Sequence, residues 1–214
     1  MPAAETLRVA LEVARALDRL AIPYLIGGSL ASSFHGIPRA TQDADIVADL
    51  REDRVEALLA ALEAEFYVDL ERAREAVSRR ASFNVIHLGS MLKVDLFVLR
   101  DDEFQRGAMA RRSRMRLGEE VESIVEVASA EDIVIEKLRW FRLGGETSER
   151  QWLDVLGVLK VQGANLDLGY LERWAADQEV EDLLGRAWQE AGLNPEAPPG
   201  GGRSGPGEGR RAGS

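Results

Sequence analysis

The chain has 214 residues, 45% of them hydrophobic, enough to bury a real core and to exclude a fibrous or wholly disordered protein. It has no cysteine and two histidines, His35 and His87, which rules out disulfides and thiol catalysis and disfavours zinc chemistry. A formal net charge of −10 opposes broad adhesion to nucleic acid and leaves a local basic patch as the route to an RNA end.

Residues 1–5 lack the basic-then-apolar order of a signal peptide, and no apolar run approaches the ~18 residues of a membrane span. A cytoplasmic chain with no membrane partner is expected. From Ala4 to Leu20 the apolar residues repeat at helical spacing, and Pro23 closes that helix before the apolar strand Tyr24–Ile26. The strand enters Gly27-Gly28-Ser29, and a helix is expected from Ser29 to Phe34, stopped by Gly36 and Pro38. Arg39-Ala40-Thr41 then leads into a strand that opens with Asp43 and Asp45.

Successive strand side chains point to opposite faces, so Asp43 and Asp45 share one face while Ala44 and Ile46 share the other. Like charges this close repel unless a cation lies between them, and hard cations such as Mg2+ take carboxylate and phosphate oxygens together. The glycine turn complements the acids: glycines let backbone approach a ligand, and a helix starting at Ser29 aims free N–H groups at an anion.

Further along, Asp53–Glu65 reads as an amphipathic helix, Phe66–Leu70 as a strand, and the charged Glu71–Arg80 as a short helix or a loop beside the site. Ser82–Leu88 and Met91–Leu99 read as a hairpin joined by a two-residue Gly89-Ser90 turn. Asp95 lies in that second, apolar strand, where an ionised carboxylate is costly unless paired or metal-bound, and Lys93 shares its face.

Arg106, Arg111, Arg112, Arg114 and Arg116 make the densest basic cluster; such a run is usually a solvated face, and in an acidic protein it is also the best candidate for docking a phosphate-rich acceptor. Leu117–Glu120 is expected to turn, and Val121–Val127 to form a strand. From Ser129 the pattern becomes helical: Ser129-Ala130-Glu131-Asp132 resembles a capping box. In the helix that follows, Lys137 falls in the middle of an apolar arc, between Ile133 and Phe141 and flanked by Val134 and Trp140. The next helix starts near Ser148 and carries Trp152, Leu153, Val155, Leu156 and Leu159 on its apolar side. Asp154 falls at the edge of that side, facing either a partner in Arg150 or the same cleft as Lys137. Two short helices, Tyr170–Ala176 and Val180–Ala191, follow, and the Pro/Gly-rich stretch from 195 onward is expected to be a disordered tail.

Gly-Ser, thirteen residues, then Asp-x-Asp, with a third acid on a later strand, resembles the signature of the nucleotidyltransferase superfamily related to DNA polymerase beta. Arg39-Ala40-Thr41 resembles an Arg-x-Thr that many of its members carry before the paired acids. Glu131-Asp132-Ile133 with Lys137, followed by Asp154 on the next helix, narrows the resemblance to the abortive-infection, AbiEii-type nucleotidyltransferases, some of which are toxins of toxin–antitoxin pairs. The likeness implies an α/β (α+β) fold: a mixed-sheet core over residues 1–100, and a mixed then helical part over 101–194 that completes the cleft. It implies transfer of a nucleoside monophosphate from a nucleoside triphosphate to an acceptor hydroxyl, with Asp43, Asp45 and Asp95 holding Mg2+ or Mn2+. Gly27, Gly28, Ser29, Arg39, Thr41, Lys93 and Asp154 would serve the nucleotide, and Lys137 would counter its charge.

The implied acceptor is a tRNA end or a protein hydroxyl, with an antitoxin protein as a further partner. A small molecule such as an aminoglycoside is the alternative acceptor, and a non-catalytic nucleotide-binding module is the reading from another class. An unpaired ammonium in an apolar arc is unfavourable until a triphosphate compensates it. Lys137→Ala is therefore expected to weaken triphosphate binding while leaving the nucleotide-free protein as stable or more so.

Overall fold

In the computed structural model, which describes residues 2–116 and 124–193, the alternating segments become strands β1 (Tyr24–Ile26), β2 (Asp43–Ala48), β3 (Phe66–Tyr67), β4 (Ser82–His87), β5 (Lys93–Val98), β6 (Ser113–Arg116) and β7 (Ile124–Val127). The helices are α1 (Pro2–Arg19), α2 (Gly28–His35), α3 (Val55–Leu62), α4 (Leu70–Ser78), α5 (Glu103–Arg111), α6 (Ala130–Leu143), α7 (Glu149–Gln162), α8 (Leu168–Asp177) and α9 (Glu181–Ala191). The strands form one mixed sheet in the order β3-β4-β5-β2-β1-β7-β6. The fold is the expected mixed α/β arrangement, and its sheet runs on into β7 and β6 beyond residue 100.

The parallel pair β2 and β5 makes the centre. Ala44, Ile46, Ala48, Val94, Leu96 and Val98 are buried on one face, as period-two alternation requires. Paired in register on the other face are Asp43 with Lys93, Asp45 with Asp95 and Val47 with Phe97. One lane across this face therefore runs from charged residues to apolar ones. α1 packs on β2 and α3 through a stripe that includes Val9, Val13 and Leu17. α2 packs on β2, α6 and α7.

The α2–α7 approach depends on small residues: a Cβ added to Gly36 would stand 2.7 Å from the Val158 backbone nitrogen and 2.8 Å from the Gly157 carbonyl carbon. Ser129, Ser148 and Asp167 cap α6, α7 and α8 by accepting the N–H three residues on, which fixes where each helix starts.

Several local expectations shift. Glu52–Arg54 is a single 3-10 turn before α3, and β3 ends at Tyr67, because Asp69 caps α4 and commits residues 70–78 to helix. Strands β4 and β5 are joined by a wider loop than Gly89-Ser90 alone. The His87 N–H donates to Leu92 O at 2.9 Å, the Met91 N–H donates to His87 O at 2.8 Å, and Met91 takes a φ of 59°. The turn expected at 117–120, the start of the strand expected at 121–127 and the tail from 195 lie outside the described residues. Trp140 and Leu153, expected on apolar helix faces, are 48% and 54% exposed, since each sits at the margin of its buried stripe.

Candidate active site

The glycine turn is pressed onto the acidic lane. Gly28 has a φ of +55°, and a Cβ there would lie 1.7 Å from Asp45 Oδ2, so the position requires glycine on both backbone and steric grounds. The Gly27 N–H donates to Asp45 O at 2.9 Å, tying the turn to β2. Burial pushes the Asp45 carboxyl above the ordinary carboxylate range. The charge of Asp95 adds to this, Lys137 opposes it, Asp43 adds again, and the Ser29 N–H opposes it by donating to the carboxylate. The carboxylate thus already uses the N-terminus of α2, where an anion is favoured.

Lys93 Nζ lies 3.1 Å from Asp95 Oδ2 and balances part of the negative face. Thr41 is buried; its hydroxyl donates to Asp43 O at 3.0 Å and its carbonyl accepts from the Thr6 hydroxyl at 2.9 Å. Its place is to fix the start of β2, through backbone bonds to α1 and Asp43.

Beside Ser29 stands a cluster of two cations around one carboxylate, with Lys137 and Asp154 buried and Arg39 partly exposed. Arg39 Nε donates to Asp154 Oδ1 at 2.6 Å and Arg39 Nη2 to Asp154 Oδ2 at 2.8 Å, a bidentate fork. Lys137 Nζ donates to the same Oδ2 at 2.8 Å, with the Lys137 side chain 6% exposed and that of Asp154 3%. Arg39 Nη2 also donates to the Ser29 hydroxyl at 2.6 Å, and Lys137 Nζ reaches it at 3.4 Å. Burial alone would raise the Asp154 carboxyl, but the bonds from Arg39 and Lys137 outweigh it and hold the group below its ordinary range.

One expectation changes here: Lys137 is paired, because α7 brings Asp154 against α6. Of the two alternatives for Asp154, the partner Arg150 gives way to Arg39 and Lys137. The cluster carries two cations and one anion, so it keeps net positive charge facing the acids.

A cavity of about 430 Å³ opens from Gly28, Ser29, Asp45 and Lys137 and runs beneath α6 along Val47 and Phe97. Its size falls in the usual ~300–1,000 Å³ range of small-molecule sites. A smaller recess of about 250 Å³ lies at the other end of the acidic lane, lined by Glu5, Asp43, Ser90 and Lys93. The acids therefore stand between two openings.

Sequence reasoning read Glu131 and Asp132 as a helix start and missed their larger part. Glu131 accepts from Arg111 Nη2 at 3.0 Å and from the Asp167 N–H at 3.0 Å. Asp132 accepts from the Tyr170 hydroxyl at 2.5 Å and the Ser129 hydroxyl at 2.8 Å, and Arg111 stacks 3.8 Å over the Tyr170 ring. The pair locks α5, α6 and α8 together and so sets the roof of the cavity. Two acids ahead of an apolar helical run were the available signal.

Within the arginine cluster Arg106 pairs with Asp101, Arg111 with Glu131, and Arg112 and Arg114 with Glu126.

Among the described residues no group of three acidic or histidine side chains closes on one point as an ion cage would. The donor set still fits a hard cation: carboxylates in register on adjacent strands, with Asp45 raised by burial and then by its acidic neighbours, which an added positive charge would offset.

Among solved structures the chain is similar to the solution structure of the antibiotic-resistance factor ANT(2'')-Ia, with 15% identity, a TM-score of 0.55, and 88% of this chain and 99% of that one covered. It is similar to ANT(2'')-Ia in complex with adenylyl-2''-tobramycin, with 16% identity, a TM-score of 0.54 and coverage of 81% and 96%. An antigenic nucleotidyltransferase-like protein from Paracoccidioides brasiliensis matches with 17% identity, a TM-score of 0.53 and coverage of 87% and 94%. These likenesses establish the fold. No curated protein matches the sequence. The family model described as "Nucleotidyl transferase AbiEii toxin, Type IV TA system" matches residues 13–197, a span that holds the glycine turn, all three aspartates, Lys137 and Asp154. The chain belongs to the AbiEii nucleotidyl transferase family.

Proposed function

We propose that the chain transfers a nucleoside monophosphate from a nucleoside triphosphate to an acceptor hydroxyl. The observation that carries this reading is the juxtaposition at the cavity mouth: Asp45 in register with Asp95, the Gly28–Ser29 turn against Asp45, and the net-positive Arg39–Lys137–Asp154 cluster touching Ser29. An acid face meets a cationic face across a glycine-lined backbone, which suits a polyphosphate that arrives with a divalent cation.

In this reading the Gly28 backbone and the Ser29 hydroxyl bind the triphosphate, the Gly27 and Ser29 N–H groups being held by Asp45, and Lys137 and Arg39 counter its charge. Asp154 positions both cations and stops them from binding the acids directly. Asp43, Asp45 and Asp95 would hold Mg2+ or Mn2+, which when bound lowers the pKa of the acceptor hydroxyl and stabilises attacking and leaving oxygens. The acceptor oxygen forms a bond to the α-phosphorus as the bond to the β-phosphate bridge breaks. The hydroxyl proton is lost to solvent, and pyrophosphate leaves.

For the acceptor we favour an RNA end or a protein hydroxyl, in keeping with a family described as toxins of a toxin–antitoxin system. An antitoxin protein is then the implied partner. The small-molecule reading is supported by the neighbour bound to adenylyl-2''-tobramycin and by Glu5 and Asp43 in the smaller recess. The non-catalytic reading is disfavoured by the three aspartates on one continuous face. Among the described residues no helix is long and apolar enough to cross a membrane.

The acceptor is tested by incubating the protein with Mg2+, the four triphosphates and, in separate reactions, bulk tRNA, bacterial lysate protein and a panel of aminoglycosides. Intact-mass analysis is expected to show a gain of one nucleoside monophosphate on RNA or protein. A gain confined to the aminoglycosides would reverse the preference, and no gain on any acceptor would remove the transferase reading.

A further inference from the structure

The cavity beneath α6 extends well beyond what a triphosphate needs. Past the Ser29 and Lys137 mouth its walls are mainly apolar, with Leu25, Val47 and Phe97 from the sheet and Ile133 and Trp140 from α6. α6 presents Ile133, Glu136, Lys137 and Trp140 to this space because residues three and four apart share a helix face. Lys137 stands at the phosphate end, and Glu136 stands on the wall of the apolar part.

Glu136 has no structural task that accounts for this position. Among the described residues it has one cationic neighbour within 4 Å, Arg139 Nη1 at 3.9 Å, and no hydrogen-bond donor. Its side chain is 29% exposed, and what it faces is the cavity. Burial raises its carboxyl above the usual range despite Arg139 and Arg100, as expected of a carboxylate that lacks a bonded partner. A half-buried acceptor on an apolar wall matches a ligand that is planar, largely apolar and edged with N–H donors.

The geometry points to the cavity beneath α6 as the nucleobase subsite, with Glu136 accepting a ring N–H or exocyclic amino group of the base. This rests on the proposed triphosphate site at Gly28, Ser29 and Lys137: a nucleoside attached there enters the cavity directly, and the recess beside Asp43 and Lys93 is left for the acceptor. Glu136 is then a specificity residue, and the phosphates are read by other groups.

The test separates base from phosphates by titrating the full chain, wild type and Glu136→Gln, with each of four nucleoside triphosphates and with inorganic tripolyphosphate, all with Mg2+. The expected result is a loss of about tenfold in nucleoside triphosphate affinity for E136Q, the size of one charged hydrogen bond, with a changed order among the four bases. Tripolyphosphate affinity should stay as in wild type and the melting temperature should not fall, since Glu136 makes no close contact within the protein and its ionised form is disfavoured by burial. Unchanged nucleotide affinity, or equal losses for nucleotide and tripolyphosphate, would overturn the base subsite while leaving the phosphate site standing. A wild-type protein that binds tripolyphosphate as tightly as any nucleotide overturns it as well. If wild type binds neither, the nucleotide reading itself fails.

Discussion

Replacing Asp154 by alanine is expected to lower the stability of the nucleotide-free protein by about 3 kcal/mol, the low end of what removal of one partner from a buried ion pair costs. The variant leaves Lys137, with its side chain 6% exposed, and Arg39, 31% exposed, as two cations without their shared carboxylate. Arg39 can turn toward water, which is why the low end applies. The loss is read as a fall in melting temperature, and triphosphate binding should weaken with it because both cations lose their fixed positions.

Lys137→Ala is expected to be milder, about 1–2 kcal/mol, because Asp154 keeps its bidentate fork with Arg39. That replaces the sequence-based expectation of unchanged or higher stability, which assumed an ammonium without a partner. Asp154 also gives the pair a pH signature. Its carboxyl is raised by burial but held below the ordinary range overall by Arg39 and Lys137. Its contribution is therefore complete above the unfolded value and is lost as pH falls through the folded one. Acid melts of wild type should show this loss below about pH 4, and D154A should lack it. A D154A protein as stable as wild type would mean that the cluster contributes no net stability.

Asp45→Asn is expected to act in the opposite sense on stability. Transfer should fall on the order of 10³-fold, because a group that helps place several kcal/mol of charge stabilisation is lost and each 1.36 kcal/mol is tenfold in rate. The fold should become more stable without divalent cation, since burial and the charges of Asp95 and Asp43 disfavour the ionised Asp45 in the empty site. Thermal melts with and without Mg2+, beside the rate, check both halves. Transfer at the wild-type rate would remove Asp45 from the acid site.

Much of this site was legible because it is local. Period two placed Asp43 and Asp45 on one face, and Lys93, which shares the face of Asp95, pairs with it at 3.1 Å. The positive φ of Gly28 and its contact with Asp45 follow from a Gly-Gly turn closing onto the next strand. The Arg39–Asp154–Lys137 cluster was not legible, because it joins residues 115 and 17 positions apart and depends on how α7 docks against α2 and α6. Helical angle alone showed that Lys137 was misplaced for packing, without naming the anion that holds it. The ion pairs of Arg111 and Arg114 were hidden for the related reason that their partners, Glu131 and Glu126, come from later elements. Glu136 gave no signal in the chain, since a charged residue at the edge of an apolar arc reads as solvated until the cavity it faces is seen.

The central claim is that the bond broken lies between the α- and β-phosphates, and paired labelling of the triphosphate tests it most directly. Parallel reactions with Mg2+ and acceptor would carry the label at the α- or the γ-phosphate, with D45N as the control. The account predicts that α-label moves to the acceptor, that γ-label leaves in pyrophosphate, and that both signals vanish in D45N. Transfer of γ-label to the acceptor, or its release as inorganic phosphate with the nucleoside diphosphate left behind, would contradict it.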